Sequence, residues 1–141
     1  MSKSKLQLYF YSILVASIVW LLIFPKPLKN FAPIIFAIPT FPVFVFNFFD
    51  KLMEFSRILK IKNSELFTKH VSDSGSFSNY NKGLVIDIYQ FNNNKDLEDL
   101  KRVNLYEKYI LCKELIKLTF ISFIFIALLG IATIYIKTSI F

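Results

Sequence analysis

Few residues in this chain have the type and spacing that chemistry requires. His70 stands beside Ser72 and Asp73, the residue types of a triad in which a carboxylate orients an imidazole and the imidazole takes a proton from a hydroxyl. Such a relay is assembled in space rather than by adjacency, and these three as neighbours are ordinary loop composition. Glu98 and Asp99 are adjacent carboxylates, a pairing that general acid–base catalysis uses. They open a helical pattern, however, where negative charge complements the helix dipole. His70 and Cys112 are the only histidine and the only cysteine. One thiol forms no intrachain disulfide, and the two residues fall short of a zinc ligand set. Cys112 reads as a small apolar filler. The three glycines spell neither of the Gly-rich phosphate loops. The residues point away from an enzyme, and no metal or cofactor is expected.

The elements that position these side chains are set by a membrane. The 141 residues are 55% hydrophobic, with a mean hydropathy of +0.49. Residues 6–25, 30–49 and 118–136 carry no charge, and about 20 apolar residues cross roughly 30 Å of hydrocarbon as a helix. All ten carboxylates and twelve of the seventeen Lys and Arg residues fall within residues 50–117. The net charge of +7 is therefore no nucleic-acid footprint. The central region is nearly balanced, and the other five cations (Lys3, Lys5, Lys26, Lys29 and Lys137) flank the uncharged stretches as anchors. The expected fold is an all-α integral membrane protein, with three transmembrane helices and a small helical cytoplasmic domain between the second and third. Residues 1–49 make a hairpin with spans 6–24 and 31–49, residues 50–117 the charged region, and residues 118–141 the last span and tail.

Along the chain, the first apolar run is too long for a signal-peptide core and ends at Pro25-Lys26-Pro27 without a small-residue cleavage site, so it reads as an uncleaved span. Tyr9, Tyr11 and Trp20 are candidate interfacial aromatics. Ser12 and Ala16 form a small-xxx-small pair that admits a neighbouring helix closely, and Gly130 is a third candidate packing position. The second span holds Pro33, Pro39 and Pro42. Pro33 falls in a first turn, whereas Pro39 and Pro42 each remove a mid-span hydrogen bond and predict a kink. Kinked span and discontinuous helix lining a site are both open readings, and the lack of a nearby ionisable residue favours the first. From Asp50, Leu52, Phe55 and Leu59 continue an amphipathic helix out of the membrane. Its cations Lys51, Arg57, Lys60 and Lys62 are candidate membrane-surface contacts, resting on anionic headgroups or simply facing water.

Asn63 and Ser64 cap a short helix over 65–71. Residues 73–76 are turn chemistry and 77–83 loop. Residues 84–91 suit a helix better than a strand, since a lone strand would lack a partner. Asp96, Glu98 and Asp99 then occupy a first helical turn, Glu98 pairs with Arg102, and no Pro or Gly occurs before Gly130. One unbroken helix from Asp96 into the third span is expected.

If all three spans cross, residues 1–5 and 50–117 share a side and hold fourteen cations against three opposite. The positive-inside bias then places the N-terminus in the cytoplasm and the C-terminus outside. A re-entrant second span would invert the central region.

From Asn63 onward the order of features resembles small bacterial inner-membrane proteins of the universal stress protein B type. The resembling elements are Asn63-Ser64-Glu65-Leu66-Phe67, Phe77-Ser78 followed by Asn81-Lys82, Ile88-Tyr89, Asp96-x-x-Asp99, and a basic stretch entering a terminal span. That resemblance implies a membrane protein with a stress-resistance role and no catalytic residues. In size, basic charge, Phe and Lys content and span count the chain is also similar to immunity proteins against pore-forming bacteriocins. An accessory subunit of a larger membrane complex is a third class. All three expect a non-enzymatic membrane protein whose partners are the bilayer and another membrane protein or itself, with no nucleic acid.

Overall fold

The computed structural model of the chain describes residues 3–25, 27–71, 86–91 and 93–138. Among these, the regular elements are helices: α1 (Lys3–Ile23), α2 (Ala32–Lys62), α3 (Ser64–His70), α4 (Asn94–Arg102) and α5 (Tyr106–Thr138), with 3-10 turns at Leu28–Phe31 and Ile88–Gln90. Three helices are long and apolar enough to cross a membrane: Lys3–Ile23, the run Leu28–Lys62 and Tyr106–Tyr135. The chain divides into two compact units, one of Met1–Phe46 with Leu115–Phe141 and one of Asn47–Glu114.

In the first unit, α1 buries Leu6, Phe10, Leu14, Ser17 and Leu21, a stripe at the three- and four-residue spacings of one helix face. Phe10 is its anchor, with ring contacts to Phe36 at 5.6 Å, Phe44 at 6.1 Å and Phe125 at 6.0 Å. Aromatic edge contacts of this kind add to burial and here join α1, α2 and α5. Ser17, Thr40 and Ser122 are buried, and each hydroxyl donates to the carbonyl four residues earlier. A helix thus disposes of a polar hydroxyl where no water reaches. α2 runs on through Pro39 and Pro42, and the Tyr9 hydroxyl donates to the Pro39 carbonyl at 2.7 Å. Tyr9 is therefore engaged with another helix. Trp20 stacks on Phe24 at 3.9 Å and donates from Nε1 to the Leu28 carbonyl, which closes the α1–α2 turn.

In the second unit, Leu52, Phe55 and Leu59 of α2 pack with Leu66 and Phe67 of α3, Ile86, Ile88 and Phe91, Leu100 of α4, and Leu105, Tyr109 and Cys112. The apolar stripe expected from Leu52 is the one that is buried. Asn63 caps α3 by accepting from the Leu66 N–H at 3.0 Å.

Three expectations need correction. The helix from Asp96 is not continuous with the third span: α4 ends at Arg102 and α5 begins at Tyr106. Asn104 between them has φ of 56°. The Leu105 N–H bonds to the Leu100 carbonyl and the Asn104 N–H to the Lys101 carbonyl, the Schellman pattern that ends a helix on a left-handed residue. Asparagine takes that conformation at low cost, so neither Gly nor Pro was needed. Residues 86–91 are not an α-helix. Ile86 forms an antiparallel bridge with Val71, and a 3-10 turn follows. The pairing partner that the sequence did not reveal sits just after α3. Finally, Arg102 pairs with Asp99 at 3.6 Å; the expected Glu98 partner is one residue off. The turn over 73–76, the loop over 77–83, residues 84 and 85 of the ambiguous segment, and the elements Phe77-Ser78 and Asn81-Lys82 lie outside the described residues.

Candidate functional site

The second unit holds a buried polar cluster, built where two helix ends meet. Lys69 and His70 occupy the last turn of α3, where cations complement the dipole, and Asp96 occupies the first turn of α4, where an anion does. Asn93 caps α4, its side chain accepting from the Lys95 N–H. The Asp96 carboxylate is 4% exposed and takes hydrogen bonds from Lys69 Nζ at 2.8 and 3.0 Å. His70 Nε2 lies 2.9 Å from its second oxygen, which fits the tautomer carrying its proton on Nε2. Burial pushes the Asp96 carboxyl up, but the Lys69 and His70 hydrogen bonds and the Lys69 charge outweigh that, and it is held below the ordinary range. The His70 ring lies on Phe91 at 4.1 Å, and the Phe91 carbonyl accepts from the Tyr109 hydroxyl. The His70 carbonyl accepts from the Asp87 N–H beside the Val71–Ile86 bridge.

An aspartate–histidine pair of this geometry can orient an imidazole for proton transfer. Here the nitrogen left for that work, Nδ1, is buried without a hydrogen-bond partner among the described residues. The structure thus joins His70 to Asp96, twenty-six residues away. The neighbours Ser72 and Asp73 of the sequence triad lie outside the described residues. Glu98 is exposed and Asp99 half-buried on α4, apart from this pair. Sequence reasoning missed the cluster. The signal available was a Lys-His pair closing one capped helix and a single acid in the first turn of another.

A second cluster centres on Glu54 of α2, which accepts from Lys51 Nζ at 2.7 Å and from Lys108 Nζ of α5. The Lys108 and Lys51 hydrogen bonds hold its carboxyl down to about 2. Cys112 is fully buried, and burial, aided by the Glu54 charge, pushes its thiol up to about 12. It stays protonated at neutral pH and is a poor nucleophile.

The four candidate membrane-surface cations separate. Lys51 is tied to Glu54, and Lys62 Nζ donates to the Val103 carbonyl at 3.0 Å. Arg57 is exposed, and Lys60 is exposed with its Nζ over the Phe67 ring. Ser12 and Ala16 are exposed on α1, outside its buried stripe, and Ser12 donates to the Leu8 carbonyl. Gly130 is half-buried, and a Cβ there would meet nothing within 4 Å. Among the described residues, no group of three or more His, Cys, Asp and Glu side chains could hold a metal ion. No family model, curated protein or solved structure matches the chain.

Proposed function

We propose that this is a non-enzymatic, multi-pass protein of the bacterial inner membrane that acts through contacts with another membrane protein or a second copy of itself. One observation carries the reading: each of the three long apolar helices buries less than a third of its most apolar stretch. Lipid covers most of the remainder. The outward face of α1, where Ser12 and Ala16 lie exposed, offers a second helix a close approach that bulky side chains would deny it. The charge bias described above supports a cytoplasmic N-terminus and a cytoplasmic residue 50–117 region. The pairing of His70 with Asp96 and of Glu54 with two lysines favours structural over catalytic use of the ionisable groups.

The test is photo-crosslinking of the full chain in its membrane. A photoreactive residue at Ala16 should give a discrete protein adduct, and one at Leu128 should give lipid adducts. Lipid adducts alone from every position on α1 would remove the proposal. The stress-resistance role implied by the resemblance and bacteriocin immunity are two settings for such contacts. Survival of cells with and without the chain, under general stress and under a panel of pore-forming bacteriocins, separates them. A larger complex co-purifying with the chain would favour an accessory subunit.

A further inference from the structure

Past residue 49 the second long helix has left its uncharged stretch, yet one face of it stays apolar and outward. Phe49, Met53, Arg57, Lys60 and Ile61 recur at helical spacing on the side away from buried Leu52, Phe55 and Leu59. Ile61 is 79% exposed and Met53 is 42% exposed. A lone exposed apolar residue needs no explanation. Three in one stripe with two cations do, on a helix already continuous with a membrane-length run. The charges sort the same way. Lys51 and Lys62 are engaged by Glu54 and by a backbone carbonyl, Arg57 is exposed, and Lys60 is exposed with its Nζ over the Phe67 ring, a contact that leaves its ammonium open to an anion. Among the described residues of α2, the acids on this side are Asp50, exposed on the stripe at its near end, and Glu54 at its edge, which is paired with two lysines.

We propose that this face of α2, from Phe49 to Ile61, docks on the anionic headgroup surface of the membrane in which the chain sits. Met53 and Ile61 enter the interfacial layer, and Arg57 and Lys60 pair with lipid phosphates while their stems lie along the apolar boundary. The inference rests on the membrane reading and names a lipid class for it.

The experiment uses the full chain with Ile61→Cys carrying a fluorophore, and the wild-type chain, whose Cys112 is buried, as the labelling blank. The chain is reconstituted in vesicles of phosphatidylcholine alone or mixed equally with phosphatidylglycerol. A nitroxide on the lipid reports the interface, and acrylamide, which is uncharged, reports water. Lipid-borne quenching should dominate in the anionic vesicles and give way to acrylamide in phosphatidylcholine or in high salt. Arg57→Gln and Lys60→Gln should each reduce the docked fraction about fivefold in ratio. Equal acrylamide quenching in both vesicle types would overturn the proposal. So would protection that ignores lipid charge, since it would mean that a protein covers the face. A second label at Leu128 should be quenched from lipid in either vesicle. If it were open to acrylamide, the membrane reading itself would fail, and the two failures are thereby told apart.

Discussion

Asp96 is the centre of the buried polar cluster in the second unit. Its carboxylate is buried, sits at the start of one helix, and is held by the last two side chains of another. Asp96→Ala should cost the second unit about 2 kcal/mol, the scale of removing hydrogen bonds from a buried charged acceptor. Lys69, half in water, is left able to solvate itself, which keeps the figure below that of a sealed ion pair. The pH dependence has a definite sign. The folded-state values of Asp96 and Glu54 both lie below their ordinary ones, so each carboxylate stabilises the fold at pH above its unfolded value. That contribution is lost as pH falls through the folded value, which for Glu54 spans the range from 4.5 down to about 2. Denaturant titrations at descending pH should show stability declining in that window. Asp96→Ala should show a shallower decline than wild type, and an unchanged slope would mean that Asp96 is not held as an anion by Lys69 and His70.

At the scale of elements, the informative join is the one between α4 and α5. Asn104 has a left-handed backbone, a conformation that costs most side chains roughly 1–2 kcal/mol and glycine almost nothing. Asn104→Gly should therefore leave stability within a few tenths of a kcal/mol of wild type, and Asn104→Val should lower it by about 1–2 kcal/mol. Thermal melts of the two variants decide the matter; equal melts would mean that the join does not need positive φ. This join shows where the sequence was legible and where it was not. Uncharged runs of membrane length, the Asn63 cap and the Leu52–Phe55–Leu59 stripe are local patterns, and each could be read directly. The end of α4 was hidden because a helix was assumed to stop only at Gly or Pro, while asparagine carries the left-handed state nearly as well. The Val71–Ile86 bridge and the His70–Asp96 pair were hidden for another reason. Each joins residues that only the packing of the core brings together, and no local pattern encodes a partner fifteen or twenty-six residues away.

Over the whole molecule, the distribution of charge makes a prediction about sidedness that the fold does not make. α1, the run Leu28–Lys62 and α5 are each long enough to cross, and three crossings place residues 1–5 and 50–117 on one side. Fourteen cations then face three, and those nearest the hydrocarbon are Lys3, Lys5, Lys51, Arg57 and Lys117 against Lys26, Lys29 and Lys137. Translocating the richer side is disfavoured, so residues 1–5 and 50–117 are expected on the cytoplasmic side. The second span decides the outcome, because α2 carries Pro39 and Pro42 within it, and a segment that turned back there would move residues 50–117 across. A reporter inserted at Asn93 should behave as cytoplasmic, and one fused after Phe141 as exported. An exported Asn93 reporter would mean that the 31–49 segment does not cross. It would also place the Phe49–Ile61 face against the outer leaflet, so the sidedness result fixes which leaflet must supply the anionic lipid.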